Sequence, residues 1–263
     1  MFWQDLTWQQ IDALPRSTVV VLPFGAIEQH GKHLPLRTDA LIGEEIASRL
    51  DIACGEGLLV LPVQWMGLSL HHMRFPGTLT ASVDTYISLA TDSIASVAQA
   101  GFRKLLLLNS HGGNVAALDV VLVKARERFP DTRVFACTYW NAAASELRQL
   151  RESELGGMGH ACELETSLLL ASRPDLVDMT QLSADGLQPA SLFLGQDMLA
   201  GGSVSVSRHF EEISQNGGVG DPRTASAEKG ERFFGAIVAK LKTLVKEIES
   251  GAIEETRPIG LTN

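Results

Sequence analysis

The sequence predicts an α/β fold in which helices cover a mostly parallel sheet. Three observations carry this. Short β-branched or leucine-rich runs alternate with longer segments of helical periodicity. The run Leu105-Leu106-Leu107-Leu108 leaves no face for solvent, as in strands buried on both sides. Polar and ionisable residues crowd directly after these runs, where open α/β sheets hold their ligands.

In chain order, Val19-Val20-Val21, bounded by Pro23 and Gly25, reads as the first buried strand. A helix begins at Asp39 and runs through Leu50, and residues 58–63 (LLVLPV) read as a second strand. Val83, Ile87, Ala90, Ile94 and Val97 fall at helical spacing, closed by Gly101. Residues 104–109 form a third strand, 115–129 a helix and 133–139 a fourth strand. A helix is expected over 142–151, ending before Gly156-Gly157, and another over 164–172. Residues 173–222, rich in Gly, Ser, Asp and Gln, read as loops with short strands that build a pocket wall. A final helix carries one apolar stripe through Phe234, Ile237, Leu241, Val245 and Ile248. No repeat or linker interrupts the chain, so a single domain over 1–263 is expected.

With 263 residues, 45% hydrophobic, the chain is able to bury a sizeable core. A net charge of −9 without a basic cluster argues against nucleic acid or an anionic membrane as partner. Cys54, Cys137 and Cys162 are too few and too far apart for a disulfide framework or a CxxC zinc site. MFWQDLTWQQ lacks the early cations of a secretory signal, and no apolar run approaches the ~20 residues that span a bilayer. The expectation is a soluble cytoplasmic protein.

The chemistry gathers in short motifs. After the first strand come Glu28, His30, His33 and Asp39, carboxylates and imidazoles suited to divalent metals. After the leucine strand comes Asn109-Ser110-His111-Gly112-Gly113-Asn114, whose two glycines allow unusual backbone angles and close approach of a ligand. An esterase oxyanion loop also uses His-Gly-Gly, but the chain has no G-x-S-x-G elbow, nor a G-x-x-x-x-G-K-[ST] phosphate loop. His160, Glu163 and Glu165 form a third group around Cys162, which reads as a small buried residue. His71-His72 before Pro76-Gly77 reads as a turn or a site wall, and Gly217-Gly218-Val219-Gly220-Asp221 as a turn or a site loop.

Taken in order, PFGAIEQHGKHLPLRTDA, HHMRFPGTLT, NSHGGN, HACELETS and GVGDPRTASAEKG resemble the creatininase (creatinine amidohydrolase) family, over residues 22 to about 230. The resemblance implies a three-layer α/β/α sandwich around a mostly parallel sheet, a homo-oligomer (a hexamer in better-known members) and two divalent ions (zinc, manganese or iron) per subunit. It implies Glu28 and His111 as ligands of one ion, His30 of the other, Asp39 as their bridge and His160 as the proton carrier. His72, Gly112 and Gly113 are expected to meet the substrate. Creatininase proper has a glutamate ligand where this chain has Gly113, and a tryptophan just before the histidine where this chain has Met158-Gly159. The resemblance is therefore to the branch with HGGN, and Glu165 is expected to supply the missing carboxylate.

The function implied is hydrolysis of a C–N bond in a small cyclic amide, formamide or peptide-like substrate. A non-hydrolytic metal-binding relative, an isomerase or scaffold, is the alternative, although His160 and Glu165 are both kept. A flavodoxin-like nucleotide binder without metals would need a phosphate cradle where this chain places the anion Glu28.

Overall fold

The computed structural model describes residues 1–55 and 57–256. Four parallel strands, β1 (Val19–Phe24), β2 (Leu59–Val60), β3 (Lys104–Asn109) and β4 (Arg133–Thr138), form a sheet in the order β2-β1-β3-β4. Register runs from Val19 opposite Lys104 to Phe24 opposite Asn109, and from Lys104 opposite Arg133 to Asn109 opposite Thr138. From β1 the chain first builds outward to β2, then returns to lay β3 on the other edge of β1. Strand order therefore reverses between β1 and β3, and the crevice beyond their carboxyl ends is where such sheets bind ligands.

Alternation along the strands divides the core in two. Val19, Val21, Leu106 and Leu108 face α2 (Thr38–Ala53), α7 (Glu163–Ser172) and α8 (Ala227–Ser250) through Ile42, Ile46, Leu164, Leu168, Phe233 and Ile237. Val20, Leu22, Leu105 and Leu107 face α3 (Val83–Gln99) and α4 (Val115–Arg128) through Tyr86, Ile94, Leu118 and Val121. This is the expected three-layer sandwich. Ser82 and Ser226 cap α3 and α8 by accepting the N–H groups of Thr85 and Lys229. No helix among the described residues is long and apolar enough to cross a membrane.

Three elements differ from the sequence expectation. The strand expected over 58–63 is paired only at Leu59 and Val60, because Pro62 has no N–H to give the ladder. The chain still tracks β1 beyond it, with Gln64 N–H donating to Pro23 O at 2.8 Å. The helix expected over 142–151 is broken at Ala143, between α5 (Tyr139–Ala142) and α6 (Ala144–Leu150). The glycine-rich segment after it holds an unexpected strand, β5 (Met158–His160), antiparallel to β6 (Val219–Gly220). A short helix, α1 (Trp8–Ala13), precedes β1.

α7 and α8 pack closely at Gly230, where an added Cβ would lie 2.0 Å from the Ser167 carbonyl oxygen. Gly235, one turn on, has nothing within 4 Å of that position. Gly230→Ala is therefore expected to destabilise by ~1–3 kcal/mol through overpacking, and Gly235→Ala to stabilise by ~0.5–1 kcal/mol through helix propensity. Chemical denaturation of the two variants checks the opposite signs.

Candidate metal centre

Three connections converge beyond β1 and β3. β1 delivers Glu28 and His30; β3 delivers His111; Asp39 is the second residue of α2, and Glu165 the third of α7. Both helices thus turn an N-terminus toward the site, where the macrodipole favours a carboxylate. Glu28, His30, Asp39, His111 and Glu165 are all less than 6% exposed. Asn109 shapes the turn into His111: its Oδ1 accepts the His111 N–H at 3.1 Å and its Nδ2 donates to the His111 carbonyl at 2.8 Å. Asn114 ties the same turn to its neighbours, donating to Gly25 O at 3.1 Å and accepting the Leu68 N–H at 3.0 Å.

The two oxygens of Asp39 are divided between two imidazoles: His30 Nε2 is 3.2 Å from Oδ1, and His111 Nδ1 is 3.0 Å from Oδ2. His111 Nδ1 is also 3.3 Å from Glu28 Oε1, and His30 Nε2 is 3.9 Å from Glu165 Oε1. The opposite ring nitrogens fix the tautomers. His30 Nδ1 donates to Glu28 O at 3.1 Å, His111 Nε2 to Leu68 O at 3.0 Å, and His160 Nε2 to Gln29 O at 2.7 Å. Each ring thereby presents its other nitrogen to the carboxylates. This is the usual outer support of metal-ligating histidines.

His72 is arranged the other way. The Gln29 amide is oriented by accepting the Gly31 N–H at 3.0 Å and donating to Gly217 O at 2.8 Å. Its second hydrogen goes to His72 Nδ1 at 2.6 Å, so His72 Nε2 carries a proton and faces Glu28 Oε1 at 3.2 Å. His72 lines the cavity, and it also holds Glu28 in place. Gln29 was not singled out in the sequence; an uncharged amide between two ionisable residues gives no signal there.

Charge balance accounts for the shifted pKa values. Burial opposes charging His30, but Asp39 overrides it and raises the group to about 9. His111 rises well above its usual value, against the same burial penalty, because Glu28 and Asp39 flank it. Burial pushes the Asp39 and Glu28 carboxyls up, and the imidazoles outweigh it, so both end below the usual range. Glu165 goes to about 7, since burial dominates and Asp39 counters the help from His30. Burial drives His160 down to about 3, with His30 adding to the effect.

One oxygen each of Glu28, Asp39 and Glu165 is buried without a hydrogen bond; His111 Nδ1 approaches Asp39 Oδ2 as an ion pair but is not aligned to donate to it. Buried oxygens left open, beside imidazole lone pairs, are what a divalent cation satisfies. Ligand atoms of Glu28, His30 and Asp39 lie within 4.8 Å of one another, as do those of His30, His160 and Glu165, and of Glu28, His71 and His111. The residues fit the group.

Gly112 opens onto free space, whereas a Cβ at Gly113 would lie 2.2 Å from Leu68 O and 2.4 Å from His111 Nε2. The Leu68 carbonyl that orients His111 thus occupies the room a glutamate would need. His33 leaves the cluster, with Nε2 2.8 Å from Thr166 Oγ1, and burial pushes it down to about 4. Glu163 points away from the metals: it accepts from the N–H groups of Glu152 and Ser153 at 2.9 and 2.8 Å and pairs with buried Lys229 at 2.6 Å. Ala161, between His160 and Cys162, has φ +52°, the one non-glycine with positive φ among the described residues. That conformation costs ~1–3 kcal/mol and separates the directions of His160 and Glu165.

The family model for creatininase, creatinine amidohydrolase, matches residues 4–245. A mycofactocin precursor peptide peptidase of Mycobacterium ulcerans is 33% identical over 226 residues, covering 83% of this chain and 81% of its own. A creatinine amidohydrolase of Pseudomonas putida is 30% identical over 263 residues, covering 94% and 96%. A mutant creatininase of zinc–zinc type superposes with a TM-score of 0.76 at 29% identity, covering 94% and 97%, and a manganese form of creatininase gives 0.74. The chain belongs to the creatininase family, and it is a hydrolase.

Gln29→Met keeps the volume but removes the amide that fixes His72. Metal affinity is expected to fall ~10–100-fold, as for other lost supports of a ligand. Competition with a chromogenic chelator measures this, and unchanged affinity would contradict the role of Gln29.

Proposed function

We propose that the chain binds two divalent ions (zinc, manganese or iron) and hydrolyses a C–N bond of a small cyclic amide, formamide or peptide-like substrate. The observation that supports this most is the division of Asp39 between His30 and His111, the arrangement of a bridging carboxylate. Glu28 and His111 would hold one ion with Asp39, and His30 and Glu165 the other. Bound there, the ions supply Lewis acidity and a water whose pKa falls towards ~7.

The chain's own residues do the rest. His72 orients Glu28, its Nε2–H lying 3.2 Å from Glu28 Oε1. His160 is neutral, with Nε2–H committed to Gln29 O and Nδ1 3.7 Å from Glu28 Oε1. It is therefore able to take a proton at Nδ1 and return it to the leaving nitrogen, a step typically worth ~10²–10⁴ in rate. Gly112 leaves the floor of the cavity open for a substrate carbonyl to approach, while the space at Gly113 is taken by the Leu68 carbonyl that orients His111. A non-hydrolytic role would not require both His160 and Glu165 to face the cluster.

Metal analysis combined with a hydrolysis panel of formamides, lactams and short peptides tests this reading. A protein that takes up no metal and cleaves none of them would end it. Asp39→Ala is expected to lose both ions by mass spectrometry. Glu165→Gln is expected to lose one ion and nearly all activity with the fold intact. Glu163→Gln keeps both ions, and its effect falls on stability because it weakens the buried pair with Lys229.

A symmetric homo-oligomer is proposed as well, supported by the apolar side chains exposed on either side of His71 and His72 at Leu70 (67%) and Met73 (47%). A single monomeric species in sedimentation would contradict it.

A further inference from the structure

The cavity over the cluster encloses about 830 Å³, which lies within the ~300–1,000 Å³ of pockets that take drug-sized ligands. Its floor is the carboxylate and imidazole cluster. Part of its wall, from the loops before β6, is apolar: Leu194, Val204, Val206, Phe210 and Ile213. One cation stands in that wall, the half-buried Arg208.

Among the described residues no carboxylate lies within 4.0 Å of the Arg208 guanidinium, and nearby acids are engaged elsewhere. Glu211 Oε1 is 3.1 Å from Arg74 Nε, and Glu212 Oε1 accepts the His209 N–H at 3.0 Å. Other arginines of the loop-rich region have their own acids: Arg151 with Asp197 at 2.9 Å, Arg173 with Asp175 at 2.8 Å, and Arg223 with Asp221 at 2.8 Å. Arg208 is the exception, and it borders the space where substrate must sit. A guanidinium offers a planar fork of donors that matches a carboxylate. Half withdrawn from water, it gains from an anion that the chain itself does not provide.

We propose that Arg208 receives a carboxylate of the substrate, so that the molecule cleaved is an acidic amide with an apolar body, such as an N-acylated apolar amino acid or the C-terminal end of a short peptide. This rests on the metal-hydrolase reading and narrows its substrate class. The scissile carbonyl lies over the metal cluster, the apolar body against Val204, Val206 and Phe210, and the carboxylate at the guanidinium. With two divalent ions offsetting Glu28, Asp39 and Glu165, the floor does not repel an incoming anion. A single guanidinium among apolar side chains suits one carboxylate better than a phosphate, which draws several donors.

The test uses hydroxamates, which chelate metal pairs, on the zinc-loaded full-length protein. Monohydroxamates of succinic, glutaric, adipic and suberic acid are each compared by calorimetry with the twin whose far end is a carboxamide. At one chain length or more, the carboxylate is expected to bind about tenfold tighter or better than its twin. In Arg208→Gln that ratio is expected to fall to about one, with the melting temperature and zinc content unchanged. Equal binding of every pair in the wild type, or a preference that survives Arg208→Gln, overturns the assignment. Protein that takes up no zinc overturns the metal site and this inference together, whereas zinc-loaded protein that shows no preference within any pair overturns the inference alone.

Discussion

Asp39 is 2% exposed, and its two oxygens face different imidazoles. Two further carboxylates, Glu28 and Glu165, are buried beside it. An ion taken out of water costs several kcal/mol unless it is paired, so three carboxylates in one dry crevice set the terms for everything around them. Where no divalent ion sits, protons on His30 and His111 supply part of the missing positive charge. The N-termini of α2 and α7 supply more through their dipoles. The remaining demand, three buried oxygens without donors, is the demand that metal ions meet.

The fold is arranged to bring these charges together without bringing in solvent. β1 and β3 lie side by side at the reversal of strand order, so the loops that follow them share one crevice. Ser110 Oγ, 2.7 Å from Asp39 O and 3.0 Å from Phe24 O, ties the start of α2 to the ends of both strands. α7 serves the site and the core with alternate residues: Glu165 turns inward, and Glu163 turns toward Lys229 at the start of α8. The backbone strain at Ala161 lets the chain leave β5 with His160 over the cluster and enter α7 with Glu165 beneath it. The outer support is equally specific. Gly113 is small so that the Leu68 carbonyl reaches His111, and Gln29 is an amide so that His72 donates to Glu28.

Much of this was legible in the sequence. The strands at Val19, Lys104 and Arg133 and the long helices had strong periodicity, and tertiary packing did not override it. That Glu28, His30, Asp39, His111, His160 and Glu165 gather at one crevice was legible because buried carboxylates and imidazoles are chemically distinctive and lie in short motifs. Elements defined by pairing across the chain were not. β5 is three residues with two flanking glycines, and only its partner β6 makes it a strand. The break at Ala143 leaves no mark in a run of helix formers. The sequence favoured Glu165 over Glu163 as a ligand, but the partner that holds Glu163, Lys229, lies 66 residues away and leaves no local signal. Arg208 lies in a segment without periodicity, and its role depends on the absence of a nearby acid, which spacing does not reveal.

The proposed chemistry requires two cations, one on either side of Asp39. Crystals of the zinc-loaded protein, measured with anomalous scattering at the zinc edge, examine this directly. Two peaks are expected about 3.5–4 Å apart, as in other two-metal sites, one beside Glu28 and His111 and the other beside His30 and Glu165, with Asp39 between them. A single peak, or a pair of which neither touches Asp39, would contradict it.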